Sequence, residues 1–208
     1  MRTPLVLALL LTSAVASAAD QTRAMAPFSA VSIQGPVHMI VEVGKTQSVL
    51  IRGDDKFLGR VDTRVVDGKL VITFPRDKKN NIDMPNDARI LISVPTLKAF
   101  HIEGAGSAEL NNINGDAIEI GFQGAGRLVA KGRVNQLKLN AQGVGDVDTK
   151  GLLARRANVS FEGIGAVKVY ASDRLDAAVA GMGSLNYYGN PKVVNKSVEG
   201  IGSVKAGG

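Results

Sequence analysis

The sequence predicts an all-β fold, a single parallel β-helix in which short strands stack as the successive coils of a solenoid. Two observations carry this prediction. A Gly-x-Gly motif returns every 18 to 20 residues in the second half of the chain, and short segments throughout alternate apolar with polar residues. A repeat of about 20 residues is typical of solenoids, in which each unit adds one layer to a continuous core. Alternation with a period of two indicates strands that bury one face.

The first element along the chain is a targeting segment. Arg2 is followed by an apolar run from Leu5 to Leu11 and by the small residues Ala16, Ser17 and Ala18, an order typical of a secretory signal peptide. We expect residues 1–18 to be this peptide, residues 19–27 a tail, and residues 28–207 one domain that is exported to the periplasm or the cell exterior. A transmembrane segment is not expected, because no apolar run reaches the roughly 20 residues that span a bilayer.

Residues 28 to 99 have the pattern of strands joined by ordinary turns. The stretch VVDGKLVITF places Asp67 and Gly68 between two alternating segments, which predicts a hairpin with a type I′ turn. The polar stretch from Arg76 to Arg89 contains a proline and is predicted to be a surface loop. No segment has the apolar periodicity of a helix. The chain also contains no cysteine, so disulfides play no part in its stability.

Six glycine pairs organise the rest of the chain. They are Gly104 and Gly106, Gly124 and Gly126, Gly143 and Gly145, Gly163 and Gly165, Gly181 and Gly183, and Gly200 and Gly202. The residue between the two glycines is apolar in every copy, as are the residues two positions before and two positions after the pair. We interpret each pair as a corner that interrupts the alternation of the strand, with its middle residue, such as Ile164, pointing into the core.

The glycine motif does not fit a cofactor or metal site. A dinucleotide fingerprint needs a third glycine and a following helix, and the calcium-binding nonapeptide has a different order of glycines and aspartate. The chain has two histidines, His38 and His101, and no nucleophile or metal motif. We therefore predict no catalytic residue, no cofactor and no metal, and we interpret His101 as an exposed strand residue.

The order of these segments resembles that of the GIN-domain family, whose members are described as autotransporter-adhesin head proteins. The resemblance rests on PFSAVSIQGPVHMIVEVG, the hairpin VVDGKLVITF, the segment ISVPTLKAFHIEGAGS and the glycine pairs, and it extends over about residues 28 to 207. It implies an exported, right-handed parallel β-helix. It implies no catalytic or ligand-binding residues.

Outward columns of the stacked coils contain the candidate binding residues. The column seven residues after each first glycine includes Lys131, Lys150, Tyr170 and Tyr188, and aromatic faces beside cations suit a sugar or an acidic polymer. The alternative is a tyrosine stack that only stabilises the coil edge. In the next outward column, five residues after each first glycine, Asp148 and Lys168 are predicted to form an ion pair between adjacent coils.

The sequence as a whole favours a non-catalytic exported solenoid that presents a surface for binding or adhesion, with an acidic or cell-envelope polysaccharide as the partner. The alternative is a polysaccharide lyase or hydrolase, whose site could include the loop from Arg76 to Arg89 with Asp77, Asp83 and Asp87. Nucleic acid is not expected as a partner, because the chain has no block of basic residues. The identity of the partner and the oligomeric state stay open.

Overall fold

The computed structural model describes residues 19–75 and 88–207, so the predicted signal peptide and most of the predicted loop lie outside the described residues. The described residues form strands and one short helix. In chain order these are β1 (Ala19–Thr22), β2 (Ala30–Gln34), β3 (Val37–Val43), β4 (Ser48–Gly53), α1 (Asp55–Leu58), β5 (Asp62–Val66), β6 (Lys69–Thr73), β7 (Arg89–Val94), β8 (Ala99–Tyr188), β9 (Val193–Gly200) and β10 (Ser203–Ala206). The predicted all-β class is confirmed.

The strands belong to one ten-stranded sheet with the order β1-β4-β7-β3-β8-β2-β6-β5, and β9 and β10 also pair with β8. Pairing is parallel between β8 and each of β2, β3, β9 and β10, and also between β2 and β6 and between β3 and β7. The pairs β1/β4, β4/β7 and β5/β6 are antiparallel. The sheet is therefore mixed, and the predicted single parallel β-helix is not confirmed.

The antiparallel pair β5/β6 is the predicted hairpin. Val66 pairs with Lys69 across the turn, and the turn residues Asp67 and Gly68 have φ angles of 50° and 70°. Positive φ at both central residues is the mark of the type I′ turn, which confirms this prediction. A two-residue connection can only join antiparallel strands, so this hairpin by itself makes the sheet mixed.

Two features of the N-terminal part are absent from the sequence prediction. The helix α1 is one; the carboxylate of Asp54 caps it by accepting a hydrogen bond from the backbone N–H of Phe57 at 2.7 Å, and Phe57 packs into the core. The other is β1, which places part of the expected tail in the sheet by pairing with β4. Arg23 then donates hydrogen bonds to the backbone carbonyls of Leu58 and Val61.

The glycine pairs stack on one another along the chain. Gly181 is in register with Gly200, and a Cβ atom placed on Gly124 or Gly163 would meet the backbone of the glycine one repeat earlier, Gly104 or Gly143. The side chains that point inward form one continuous apolar core with the N-terminal strands. Each repeat of about 19 residues therefore adds one layer to the core.

The predicted orientation of the corner is wrong. The residues between the paired glycines point outward, with Val144 54%, Ile164 47%, Met182 58% and Ile201 84% exposed. Alternation is not interrupted at the corner, because each glycine occupies a position where an inward-facing side chain would stand. In the copy that contains Ile164, Phe161 and Val167 are the nearest buried side chains on either side. The prediction failed because it assigned an apolar residue to the core without regard to its place in the alternation.

Glycine is required at these inward positions by both conformation and space. Ten of the twelve glycines, all but Gly183 and Gly202, have positive φ. At Gly145 φ is 148°, and a Cβ atom there would meet the backbone carbonyl oxygen of Gly126 in the preceding repeat. Neighbouring repeats can approach closely at the corner only because the side chain is absent.

The two ends of the sheet are protected differently. At the N-terminal end of the stacked repeats, the edge strand β1 is joined to β4 by the ion pair Asp20–Arg52, and the edge strand β5 contains the ion pair Asp62–Arg64. At the other end β9 pairs, among the described strands, only with β8. Lys196 of β9 is in register with the buried Ala177 and thus holds an inward position in the last repeat. A charge directed inward at an open edge opposes further strand pairing.

Candidate functional site

The four predicted binding residues lie on one broad surface, which we call the basic face. It consists of two groups of outward side chains. The first group belongs to β3 and β7. The second group stands at the positions three, five and seven residues after the first glycine of each pair. In this surface His38 of β3 is in register with Ser107, and Glu42 with Asn111. Its cations are Arg89, Arg127, Lys131, Lys150, Lys168 and Lys205, and its carboxylates are Glu42, Glu109, Asp146 and Asp148.

The surface on the other side of the glycine corner carries the opposite charge. We call it the acidic face. It consists of the outward side chains of β2 and of the outward side chains at the positions one, three and five residues before the first glycine of each pair. Its carboxylates are Glu103, Glu119, Glu162, Asp176 and Glu199, whereas Lys138 is its lysine. The chain as a whole has a formal net charge of +6, so its cations are concentrated away from this face.

Both lysines of the predicted set already have partners. The ammonium of Lys131 lies 2.9 Å from a carboxylate oxygen of Glu109. The hydrogen bond from Lys131 holds the pKa of Glu109 below its usual value, and the charges of Lys131 and Arg127 act in the same direction. The ammonium of Lys150 lies 3.9 Å from the centre of the Tyr188 ring, a cation–π contact.

The two tyrosines cover the backbone of the following repeat. The ring of Tyr170 lies over Gly189, and the ring of Tyr188 lies over Gly207. Both tyrosines are half-buried. Their contacts fit the alternative in which the tyrosines stabilise the stacked edge, and they leave only part of each ring open to a ligand.

Sequence reasoning missed the two arginines of the basic face. Arg89 and Arg127 are both exposed, and among the described residues neither makes a side-chain hydrogen bond or an ion pair. They line a depression that also contains His38 and Lys131. Arg127 stands three residues after a first glycine, a position with the same outward parity as Lys131, so the column alignment could have identified it. Arg89 begins a strand at the end of the predicted loop.

The predicted ion pair between adjacent repeats is present in the structure. Lys168 and Asp148 lie 3.6 Å apart, so their ion pair is confirmed. A contact that was not predicted lies on the acidic face, where the side-chain amide of Gln34 donates to Glu103 at 3.3 Å. Both contacts are between partly exposed side chains, and each contributes at most about 1 kcal/mol.

The described residues offer little that could carry catalysis. Within residues 19–75 and 88–207 no group of three or more His, Cys, Asp or Glu side chains is placed to hold a metal ion. His101, which was predicted to be an exposed strand residue, lies in a strand but is half-buried, because its ring lies over Gly121. The buried Thr149 donates a hydrogen bond to the backbone carbonyl of Lys168 at 2.9 Å, which is a structural role. Nor does this part of the chain contain a helix with the length and apolar character to cross a membrane.

Comparisons with known proteins agree with this architecture. The chain is similar to a crystal structure of a putative adhesin from Bacteroides fragilis, with 24% identity, coverage of 91% of this chain and 97% of that chain, and a TM-score of 0.74. A putative adhesin from Parabacteroides merdae has 16% identity, 92% and 96% coverage and a TM-score of 0.54. A putative lipid binding protein from Parabacteroides distasonis has 21% identity, 92% and 97% coverage and a TM-score of 0.53. These likenesses show the fold.

A comparison with curated proteins finds no match. A family model described as "Putative auto-transporter adhesin, head GIN domain" matches residues 27–191, which include β2 to β7, all of β8 and five of the six glycine pairs. The match confirms the resemblance seen in the sequence. The chain therefore belongs to the GIN-domain family.

Proposed function

We propose that this protein is an exported, non-catalytic adhesion domain whose repeats wind as a right-handed parallel solenoid and whose basic face binds an acidic polymer, such as a cell-envelope polysaccharide. The observation that carries the proposal is the exposure of Arg89 and Arg127 on that face, where neither makes a side-chain hydrogen bond or an ion pair within the described residues, although the charge of Arg127 also acts on Glu109. The adhesin description of the family supports a binding role, and the pattern of residues 1–18 supports export by a signal peptide.

The chemistry of the two arginines suits carboxylate or sulfate groups. A guanidinium presents a planar set of donors that can bind such groups through two parallel hydrogen bonds. An exposed cation without an ion partner can do so without first breaking a contact, whereas Lys131 would have to leave Glu109. We therefore expect Arg89 and Arg127 to make the first contacts with the polymer.

The arrangement of the basic face suits a polymer better than a small ligand. Adjacent strands lie about 4.8 Å apart, so cations on successive repeats form a row along the stacking direction. A small ligand in the depression beside Arg89 and Arg127 could contact only the cations that line it. A chain of acidic sugars can instead make several weak contacts at once, which together give useful affinity.

The test compares binding of purified residues 19–208 to immobilised alginate, a polymer of uronic acids, and to dextran, which is uncharged. We expect salt-sensitive retention on alginate only. The double variant Arg89→Ala, Arg127→Ala should weaken it at least tenfold, because two exposed cations of the basic face are lost. The set Lys131→Ala, Lys150→Ala, Tyr170→Ala, Tyr188→Ala tests the predicted column separately.

The matched control is the double variant Arg133→Ala, Arg156→Ala, which removes two exposed arginines outside the basic face and should change retention less than twofold. Equal retention by a folded Arg89 and Arg127 variant would contradict the proposal. Release of shortened sugars from alginate by the unaltered protein would favour the polysaccharide-degrading alternative instead.

A further inference from the structure

The outward residues between the paired glycines form an exposed apolar row, which we call the corner ridge. Its members are Ala105, Ala125, Val144, Ile164, Met182 and Ile201. Because the glycine pairs stack, successive members lie one repeat, about 4.8 Å, apart. The four larger side chains are each between 47% and 84% exposed. An exposed apolar surface of this kind usually marks a contact with another molecule.

One residue flanks the corner ridge on each side in every repeat. In no repeat are both of these flanking residues charged. One flanking row precedes the first glycine, and the other follows the second glycine. The flanking pairs are Glu103 with Ser107, Gln123 with Arg127, Gln142 with Asp146, Glu162 with Ala166, Ala180 with Ser184, and Glu199 with Ser203. These rows are the margins of the acidic face on one side and of the basic face on the other.

We propose that the corner ridge is the contact between two copies of this chain, which lie side by side in parallel and in register about a two-fold axis along the stacking direction. Such an axis brings each ridge residue against its own counterpart, as a contact between identical surfaces requires. It also places the acidic face of one copy beside the basic face of the other. No flanking pair then brings two like charges together.

An antiparallel arrangement fits the charges less well. A two-fold axis across the stacking direction would place the two acidic faces beside each other and the two basic faces beside each other, which disfavours association. If this axis passed between Ile164 and Met182, the four larger ridge residues of one copy would contact those of the other, and the two alanines would contact no ridge residue. The parallel arrangement uses the whole ridge.

The ridge is one residue wide, so the dimer is expected to be weak. Stable complexes typically bury about 800 Å² on each partner, and a single row of side chains supplies less. The dimer should therefore depend on protein concentration and be favoured where copies are held close together on a surface. This proposal does not depend on the function proposed for the basic face, because the apolar side chains of the ridge make the contact. Arg127, which flanks the ridge, is the one side chain that both proposals use.

The chain contains no cysteine, so single-cysteine variants test the register directly. With oxidised glutathione as oxidant, Val144→Cys and Ile201→Cys should each form a disulfide-linked dimer by themselves, because only the parallel arrangement brings each residue to its own copy. Leu153→Cys is the control, since Leu153 is 37% exposed but lies outside the ridge. Cross-linking only in a mixture of the two ridge variants would show the antiparallel arrangement and overturn the proposal.

Sedimentation equilibrium provides the second measurement. The double variant Ile164→Ser, Met182→Ser should raise the dimer dissociation constant at least tenfold, whereas Leu153→Ser should leave it unchanged. A wild-type protein that stays monomeric at millimolar concentration would overturn the proposal. So would ridge-dependent binding to vesicles of neutral phosphatidylcholine by a protein that does not self-associate, since the ridge would then be a lipid-binding surface.

Discussion

Substitution of one corner glycine tests the account of how the repeats stack. In Gly145→Ala the new Cβ meets the backbone carbonyl oxygen of Gly126, and the residue must hold a φ of 148°. This backbone conformation costs a residue other than glycine about 1–3 kcal/mol. The clash is with backbone and cannot be relieved by a side-chain rotation, so adjacent repeats must separate locally. We expect a total loss of about 3–5 kcal/mol, within the range of the largest single-substitution effects.

The matched control is Gly115→Ala. Gly115 does not have positive φ, and a Cβ there has no other atom within 4 Å, so the substitution should be neutral or slightly stabilising. Urea unfolding followed by circular dichroism measures both free energies. For a domain of this size each kcal/mol corresponds to about 2–4 °C in Tm, so Gly145→Ala should melt at least about 6 °C below Gly115→Ala. A difference below 1 °C would refute the close approach of the repeats at this corner.

Three further predictions concern exposure, the open end and the basic face. Ile164→Asp should cost less than about 1 kcal/mol because the side chain is half exposed, whereas Phe161→Ala in the core of the same repeat should cost about 3–5 kcal/mol; thermal melts compare them. Lys196→Val should increase self-association, measured by light scattering, because it removes the inward charge from the edge strand. Lys131→Ala should raise the pKa of Glu109 toward its usual value in an NMR titration, since the lowered pKa depends first on that hydrogen bond. Any stability from this pair is present above the usual pKa of a glutamate and is lost as the pH falls through the lowered pKa.

The fold class and several elements could be predicted from the sequence because their signals are local. The hairpin at Asp67 and Gly68 depends on two residues that tolerate positive φ, and the repeat depends on glycines at a fixed spacing. The pairing of Asp148 with Lys168 could also be predicted, since it needs only the spacing of one repeat. In each case residues close in sequence, or one period apart, determine the contact.

Only the tertiary structure determined which contacts the cations of the surface make. The outward orientation of a corner residue such as Ile164 follows from the alternation along the strand, but the close approach of the preceding repeat, which requires the glycines beside it, is a contact between repeats. Similarly, the sequence cannot show that Lys131 pairs with Glu109 while Arg89 makes no side-chain hydrogen bond or ion pair within the described residues, because Arg89 reaches the basic face through β7 and β3, whose pairing is long-range. The sequence thus determined the period and the class of this protein. The contacts between distant segments determined its surfaces.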